Sequence, residues 1–170
     1  VQIRQLIRMQ KGDPNELLSL VDLGSPFLLV SYDHLINENE TSLFQLGQAR
    51  YLYTIHSESE KAISLTKAVV DSFPDCMAAH AFLGRLLIES NLLTEFEGWS
   101  SKLPAEVERE NEYWYAIGSW MALKGNPREA IRCFAEASDR NPTDRQSMRG
   151  MIAALEEIGQ PEIAKVTRSN

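Results

Sequence analysis

The sequence predicts an all-α protein made of stacked antiparallel helix pairs, an α-solenoid. Three observations support this prediction. Residues that start and end helices divide the chain into segments of ordinary helix length, strand-like alternation with hairpin turns is absent, and one helix-turn-helix pattern recurs at a fixed interval. A repeat of this kind is typical of helix pairs that bury their apolar faces against their neighbours.

The length and the charge of the chain exclude several classes of protein. Of its 170 residues, 44% are apolar, which is enough to bury a core without disulfides or a structural metal. The 17 basic residues are outnumbered by 24 acidic ones, which argues against nucleic acid or an anionic membrane surface as the main partner. The apolar run at 27–30 is too short to insert into a membrane.

The two cysteines, Cys76 and Cys133, lack CxxC spacing and predict free thiols rather than a disulfide framework. Free thiols favour a reducing compartment such as the cytoplasm. Export after removal of an N-terminal signal stays open, because the numbering starts at Val1 rather than at Met.

Four short motifs predict helix starts. In each, a residue with a short polar side chain precedes Glu or Gln by three positions, the spacing of a capping box. The four capping residues are Asp13, Ser57, Asn126 and Thr143. Gly125 and Gly159 predict left-handed residues that end the preceding helices.

The repeat is clearest in the turns. Gly125-Asn126-Pro127 recurs 34 residues later as Gly159-Gln160-Pro161, and bulky and small positions keep the same offset. The stretch 111–144 resembles the tetratricopeptide repeat (TPR) family. The positions that carry the resemblance are Trp114, Ile117, Gly118, Met121, Ala130, Phe134, Ala137 and Pro142.

The resemblance implies a right-handed superhelix of TPR-like units. The register places repeats at 43–76, 77–110 and 111–144 and an incomplete one at 145–170, packed as one continuous domain behind an irregular helical cover at 1–42. Four residues depart from the pattern. Arg50 occupies a small-residue position, Thr66 occupies an aromatic one, and Phe96 occupies a position where alanine is expected. Pro104 predicts that the second helix of its repeat is short or tilted.

Members of the TPR family bind partners in a concave groove lined by the first helix of each repeat. The register implies that the groove residues here are Phe44, Tyr51, Arg85, Ile88, Tyr115, Ser119, Leu123 and Arg149. Further positions at the same register are Thr54, Ile55, Ala78, Glu89, Glu112 and Gln146. Tyrosine and arginine often dominate binding energy, so we expect a protein or peptide partner with an apolar anchor and acidic groups.

Candidate catalytic and metal-binding residues are few. Cys76 and His80 share the spacing of one helix face, but a zinc site needs three or four ligands. His80 aligns with Trp114 and is expected to pack as a core residue. The acidic residues Glu106, Glu108, Glu110 and Glu112 are expected to form the solvated face of a helix start. No cofactor motif is present, so we expect neither cofactor nor catalysis.

The sequence therefore favours a non-catalytic protein-interaction module that serves as a scaffold or adaptor. One alternative is a structural solenoid segment of a larger protein or complex, with self-association through the incomplete C-terminal repeat. A less favoured alternative is a metal-dependent or thiol enzyme built around Cys76, His80 and His56.

Overall fold

The computed structural model describes residues 42–169. Most of the predicted N-terminal cover lies outside these residues. In the described part the helices are α1 (Ser42–Tyr51), α2 (Ser59–Ser72), α3 (Met77–Glu89), α4 (Leu93–Ser100), α5 (Asn111–Leu123), α6 (Pro127–Arg140), α7 (Arg145–Glu157) and α8 (Pro161–Ser169). A π-helical turn at Leu52–His56 extends α1, and a 3₁₀ segment occupies Ala105–Arg109. This part contains no strand, and the prediction of an all-α fold is confirmed.

The chain divides into two compact units between Ala79 and His80, inside α3. In the first unit, α1 packs against α2. Thr66 is fully buried there, and its hydroxyl donates a hydrogen bond of 2.7 Å to the carbonyl of Ala62. Threonine is therefore tolerated at this position, where the repeat pattern has an aromatic residue, because its buried hydroxyl keeps a hydrogen-bond partner.

In the second unit, α4 is short, as Pro104 predicted, and a 3₁₀ segment follows the proline. The indole of Trp99 from α4 lies directly over Gly84 of α3. A Cβ atom built on Gly84 would lie within 3.0 Å of three indole ring atoms. The indole Nε1 donates to the carbonyl of His80 at 3.0 Å, which fixes the ring in place.

The α5–α6–α7 packing is organised around Phe134. A Cβ added to Gly118 would lie 2.9 Å from its ring, and one added to Gly150 would lie 2.5 Å away. Ala130 and Ala137 are fully buried on the same helix, α6. The prediction that Gly118 and Ala130 are small because helices approach closely there is confirmed.

The predicted helix ends are confirmed more fully than the predicted caps. Gly125 and Gly159 adopt φ of 72° and 74°, the left-handed conformation that glycine takes without strain. Asn126 stands at the N-cap position of α6, but its side chain accepts no hydrogen bond from the backbone N–H groups of the first turn.

At α7 the predicted cap, Thr143, is wrong by one residue. The Asp144 carboxylate accepts hydrogen bonds from the Gln146 N–H at 3.1 Å and from the Ser147 hydroxyl at 2.8 Å. The Thr143 hydroxyl instead donates to Asn141 at 2.7 Å. Ser57, a third predicted cap, ends the π-helical turn with φ of 56°, and α2 starts after Glu58.

Candidate functional site

An open cavity of about 410 Å³ lies in the second unit, among the first helices of three successive helix pairs. Its lining residues are Ile88 and Glu89 of α3, Tyr115, Ser119, Ala122 and Leu123 of α5, Phe134 of α6, and Gly150, Ala153, Ala154 and Glu157 of α7.

The cavity exists because small residues face it from α5 and α7. Gly150, Ala153 and Ala154 leave space beside the buried ring of Phe134, which forms an apolar floor with Ala154. Leu123 is 60% exposed at the opening. A recess with a buried apolar floor and an exposed apolar residue at its opening can hold an apolar side chain.

A network of charged side chains borders the cavity. Nε of Arg85 lies 3.2 Å from Oε1 of Glu89, and its Nη1 lies 3.5 Å from Oε1 of Glu112. The same guanidinium lies 5.0 Å from the centroid of the Tyr115 ring, a cation–π distance. These contacts hold Arg85 against α5.

The Tyr115 hydroxyl is hydrogen-bonded to the Glu89 carboxylate and to Ser119. Burial, followed by the nearby negative charge of Glu89, raises the pKa of Tyr115 to about 12. Burial also raises the pKa of Glu89, an effect that the hydrogen bond from Tyr115 opposes and the charges of Glu112 and Asp144 reinforce. The network therefore favours a neutral Tyr115 at the cavity wall.

The structure brings together four of the predicted groove residues, all of them in the second unit. Ile88, Tyr115, Ser119 and Leu123 all line the cavity. Arg85 stacks on Tyr115 behind this lining.

Three predicted groove residues remain, on α1 and α7. Arg149 is exposed on α7 and does not belong to the lining. Tyr51 belongs to the first unit, where its ring lies edge-on to His56 at 5.0 Å. Phe44 lies in α1, and its side chain is outside the described residues.

One prediction about charge stays a prediction and another is wrong. Arg85 is expected to offer a positive charge to acidic groups of a partner, and in the structure its guanidinium also contacts two carboxylates of this chain, Glu89 and Glu112. Glu112 was expected on a solvated face, but it is 6% exposed. A carboxylate is rarely buried without a partner, and the Arg85 guanidinium beside it meets that requirement.

Sequence reasoning missed six lining residues, which are Ala122, Phe134, Gly150, Ala153, Ala154 and Glu157. The signal for three of them was present. The 34-residue offset that relates the repeats leads from Ile88 to Ala122, from Ser119 to Ala153 and from Leu123 to Glu157. The contribution of Phe134 depends on the glycines that face its ring, which the register alone does not reveal.

Between residues 42 and 169 no group of three or more His, Cys, Asp or Glu side chains is placed to hold a metal ion. None of the helices described is both long and apolar enough to cross a membrane.

Comparison with known proteins identifies the fold. No protein-family model and no curated protein sequence matches the chain. Among solved structures, it is similar to a tetratricopeptide repeat protein from Parabacteroides merdae, with a TM-score of 0.60 and 20% identity over 97% of this chain and 68% of that chain.

Two MamA structures are also similar, each with a TM-score of 0.58. MamA AMB-1 is 14% identical, over 91% of this chain and 92% of that one. MamA from residue 41 to its end, from Desulfovibrio magneticus RS-1, is 13% identical, over 99% and 90%. The chain therefore has a TPR-like, all-α solenoid fold.

Proposed function

We propose that this chain is a non-catalytic protein-interaction module that binds a peptide or helix of a partner protein at the α3–α5–α7 cavity, as a scaffold or adaptor. The observation that carries the proposal is that Ile88, Tyr115, Ser119 and Leu123, chosen from the repeat register as groove residues, line one cavity.

The dimensions and chemistry of the cavity suit an anchor side chain. Its volume of about 410 Å³ falls within the range of small-molecule and side-chain pockets. Leu123 is 60% exposed, so covering it removes further apolar surface from water, at about 25 cal/mol per Å². An apolar side chain inserted between Leu123 and Phe134 would supply most of the affinity, as anchor residues do.

The rest of the predicted groove extends this proposal along the chain. We propose TPR-like repeats at 43–76, 77–110, 111–144 and 145–170. Tyr51 and Phe44 would lie on the groove side of the first repeat, and Arg149 would lie on the groove side of the last. These residues would contact parts of the partner that lie outside the cavity.

A second candidate function is structural, as one segment of a larger solenoid or assembly. The observation that favours it is an exposed apolar pair on α8. Ile163 and Val166 are 52% and 64% exposed, and they lie on the same helix face because they are about one turn apart. An exposed apolar stripe of this kind at the last described helix could support self-association.

One experiment with matched variants separates the two candidates. Leu123→Asp places a charge at the cavity opening, and Val166→Asp places one at an equally exposed position on α8. Both variants and the parent are used to capture proteins from a lysate of the source organism, after circular dichroism has confirmed equal helix content.

The cavity proposal expects proteins that the parent and Val166→Asp both retain and that Leu123→Asp loses. If Leu123→Asp retains every protein that the parent retains, the cavity is not the binding site. If only Val166→Asp loses partners, or loses self-association in light scattering, the structural function is correct.

A further inference from the structure

We infer that the cavity selects a basic partner segment, in which a Lys or Arg lies beside the apolar anchor and pairs with Glu157. This inference rests on the proposed function and names the chemistry of the partner. It replaces the acidic partner that the sequence predicted.

The charges at the cavity point to a cation. The charged side chains that line it are Glu89 and Glu157. The nearest guanidinium in the network, Arg85, lies between Glu89 and Glu112, so three carboxylates accompany one positive charge. An acidic segment would meet like charges there, and like-charge contacts at an interface are unfavourable.

Helix ends add to this negative potential. The last residues of α3, α5 and α7 are Glu89, Leu123 and Glu157, and all three line the cavity. The C-terminal end of an α-helix carries a partial negative charge of roughly half an elementary charge. Three such ends at one recess favour a cation in the bound partner, independently of the side chains.

Among the described residues, no positively charged side chain lines the cavity. Lys124 follows α5 directly, and its Nζ lies 3.4 Å from Oε1 of Glu97 and 4.4 Å from the centroid of the Trp120 ring. Lys124 is thus already paired within the chain. Arg149 is exposed and lies outside the lining.

Glu157 is the carboxylate that is open to a partner. Glu89 is half-buried and already bonded to Arg85 and Tyr115. Glu157 is exposed and has no ion-pair partner among residues 42–169. Its neighbour Glu156 is paired with Arg168 at 2.9 Å, so Glu156 offers a control carboxylate outside the cavity.

The test uses a displayed random-peptide library. Clones that bind the intact protein are selected, and clones that also bind Leu123→Ala, which removes the apolar side chain without adding a charge, are removed. We expect the remaining clones to be enriched in Lys and Arg, and depleted in Asp and Glu, next to an apolar residue, relative to the unselected library.

The best such clone is then synthesised with a fluorescent label, and its Kd is measured by anisotropy. Glu157→Gln is expected to weaken binding about two- to fivefold, the effect of one solvent-accessible ion pair. Glu156→Gln is expected to leave the Kd unchanged. Added salt is expected to weaken binding to the parent more than binding to Glu157→Gln, because salt screens the lost pair.

The outcomes distinguish this inference from the proposed function. If selected clones depend on Leu123 but are rich in Asp and Glu, or if Glu157→Gln binds as tightly as the parent, the inference fails while the cavity remains a binding site. If no clone depends on Leu123, the cavity does not bind peptides, and both proposals fail.

Discussion

The contact between Gly84 and Trp99 gives the sharpest prediction about stability. In Gly84→Ala the new methyl group would lie within 3.0 Å of three indole ring atoms. The ring cannot move away freely, because Trp99 is 9% exposed and its Nε1 is bonded to the carbonyl of His80. The substitution must therefore displace the ring or shift α4 away from α3.

The expected cost follows from two opposing effects. Overpacking a closely packed core costs about 1–3 kcal/mol, and a contact this short with a fixed ring belongs near the upper value. Replacing a helical glycine with alanine recovers about 1 kcal/mol through helix propensity. We therefore expect the free energy of unfolding of Gly84→Ala to fall by about 2 kcal/mol.

Gly98→Ala is the matched control. Gly98 lies in α4, and a Cβ added there meets no atom within 4 Å, so this variant gains helix propensity without a clash. We expect it to be about 1 kcal/mol more stable than the parent. The difference between the two variants, about 3 kcal/mol, then measures the steric effect alone.

The assay is urea unfolding of the parent and each variant, followed by far-ultraviolet circular dichroism and by tryptophan fluorescence. A further pair of proteins, Trp99→Leu with and without Gly84→Ala, tests the cause. If the indole is responsible, alanine at position 84 costs little once Trp99 is replaced. A Gly84→Ala protein as stable as Gly98→Ala would refute the reasoning.

Two further predictions concern the helices that border the cavity. Asp144→Ala removes the cap of α7 and leaves the buried Ser147 hydroxyl without its acceptor, so the free energy of unfolding should fall by about 2 kcal/mol in the same assay. Thr143→Ala should change the free energy of unfolding by less than about 0.5 kcal/mol. The assignment of the cap is wrong if Thr143→Ala costs as much as Asp144→Ala. Because the folded pKa of Tyr115 is raised to about 12, its contribution to stability is present below the usual tyrosine pKa and is lost as the pH rises towards 12. The melting temperature of the parent should therefore fall more steeply above pH 10 than that of Tyr115→Phe, and parallel curves would contradict the burial of this hydroxyl.

The sequence predicted the features that depend on backbone geometry. Gly125 and Gly159 had to end helices because the left-handed conformation strains other residues. Gly118 had to be small because another helix packs there, and Pro104 had to interrupt a helix. The helix ends at the glycines and the interruption at the proline follow from one residue type and its local spacing, whereas the small residue at position 118 was implied by the resemblance to the TPR family.

Charge pairing could not be predicted in the same way. Arg85 and Glu112 belong to different helices, and their contact depends on rotamers and on the approach of α3 to α5. A register lists which residues face a groove, but it does not say which of their charges are already balanced. This is why the register placed Ile88, Tyr115, Ser119 and Leu123 at one cavity but did not reveal that Arg85 is paired within the chain.

Packing and the candidate site have a common origin in the glycines. Gly118 and Gly150 let α5 and α7 approach the ring of Phe134, and the small residues that permit this approach leave the recess above the ring. A wall made of closely packed backbone cannot relax cheaply, so the recess keeps its shape without a ligand. The same stacking sets the ends of three helices around the recess. The repeat pattern therefore supplies the shape of the recess and the helix-end part of its negative potential, and the carboxylates of Glu89 and Glu157 supply the rest.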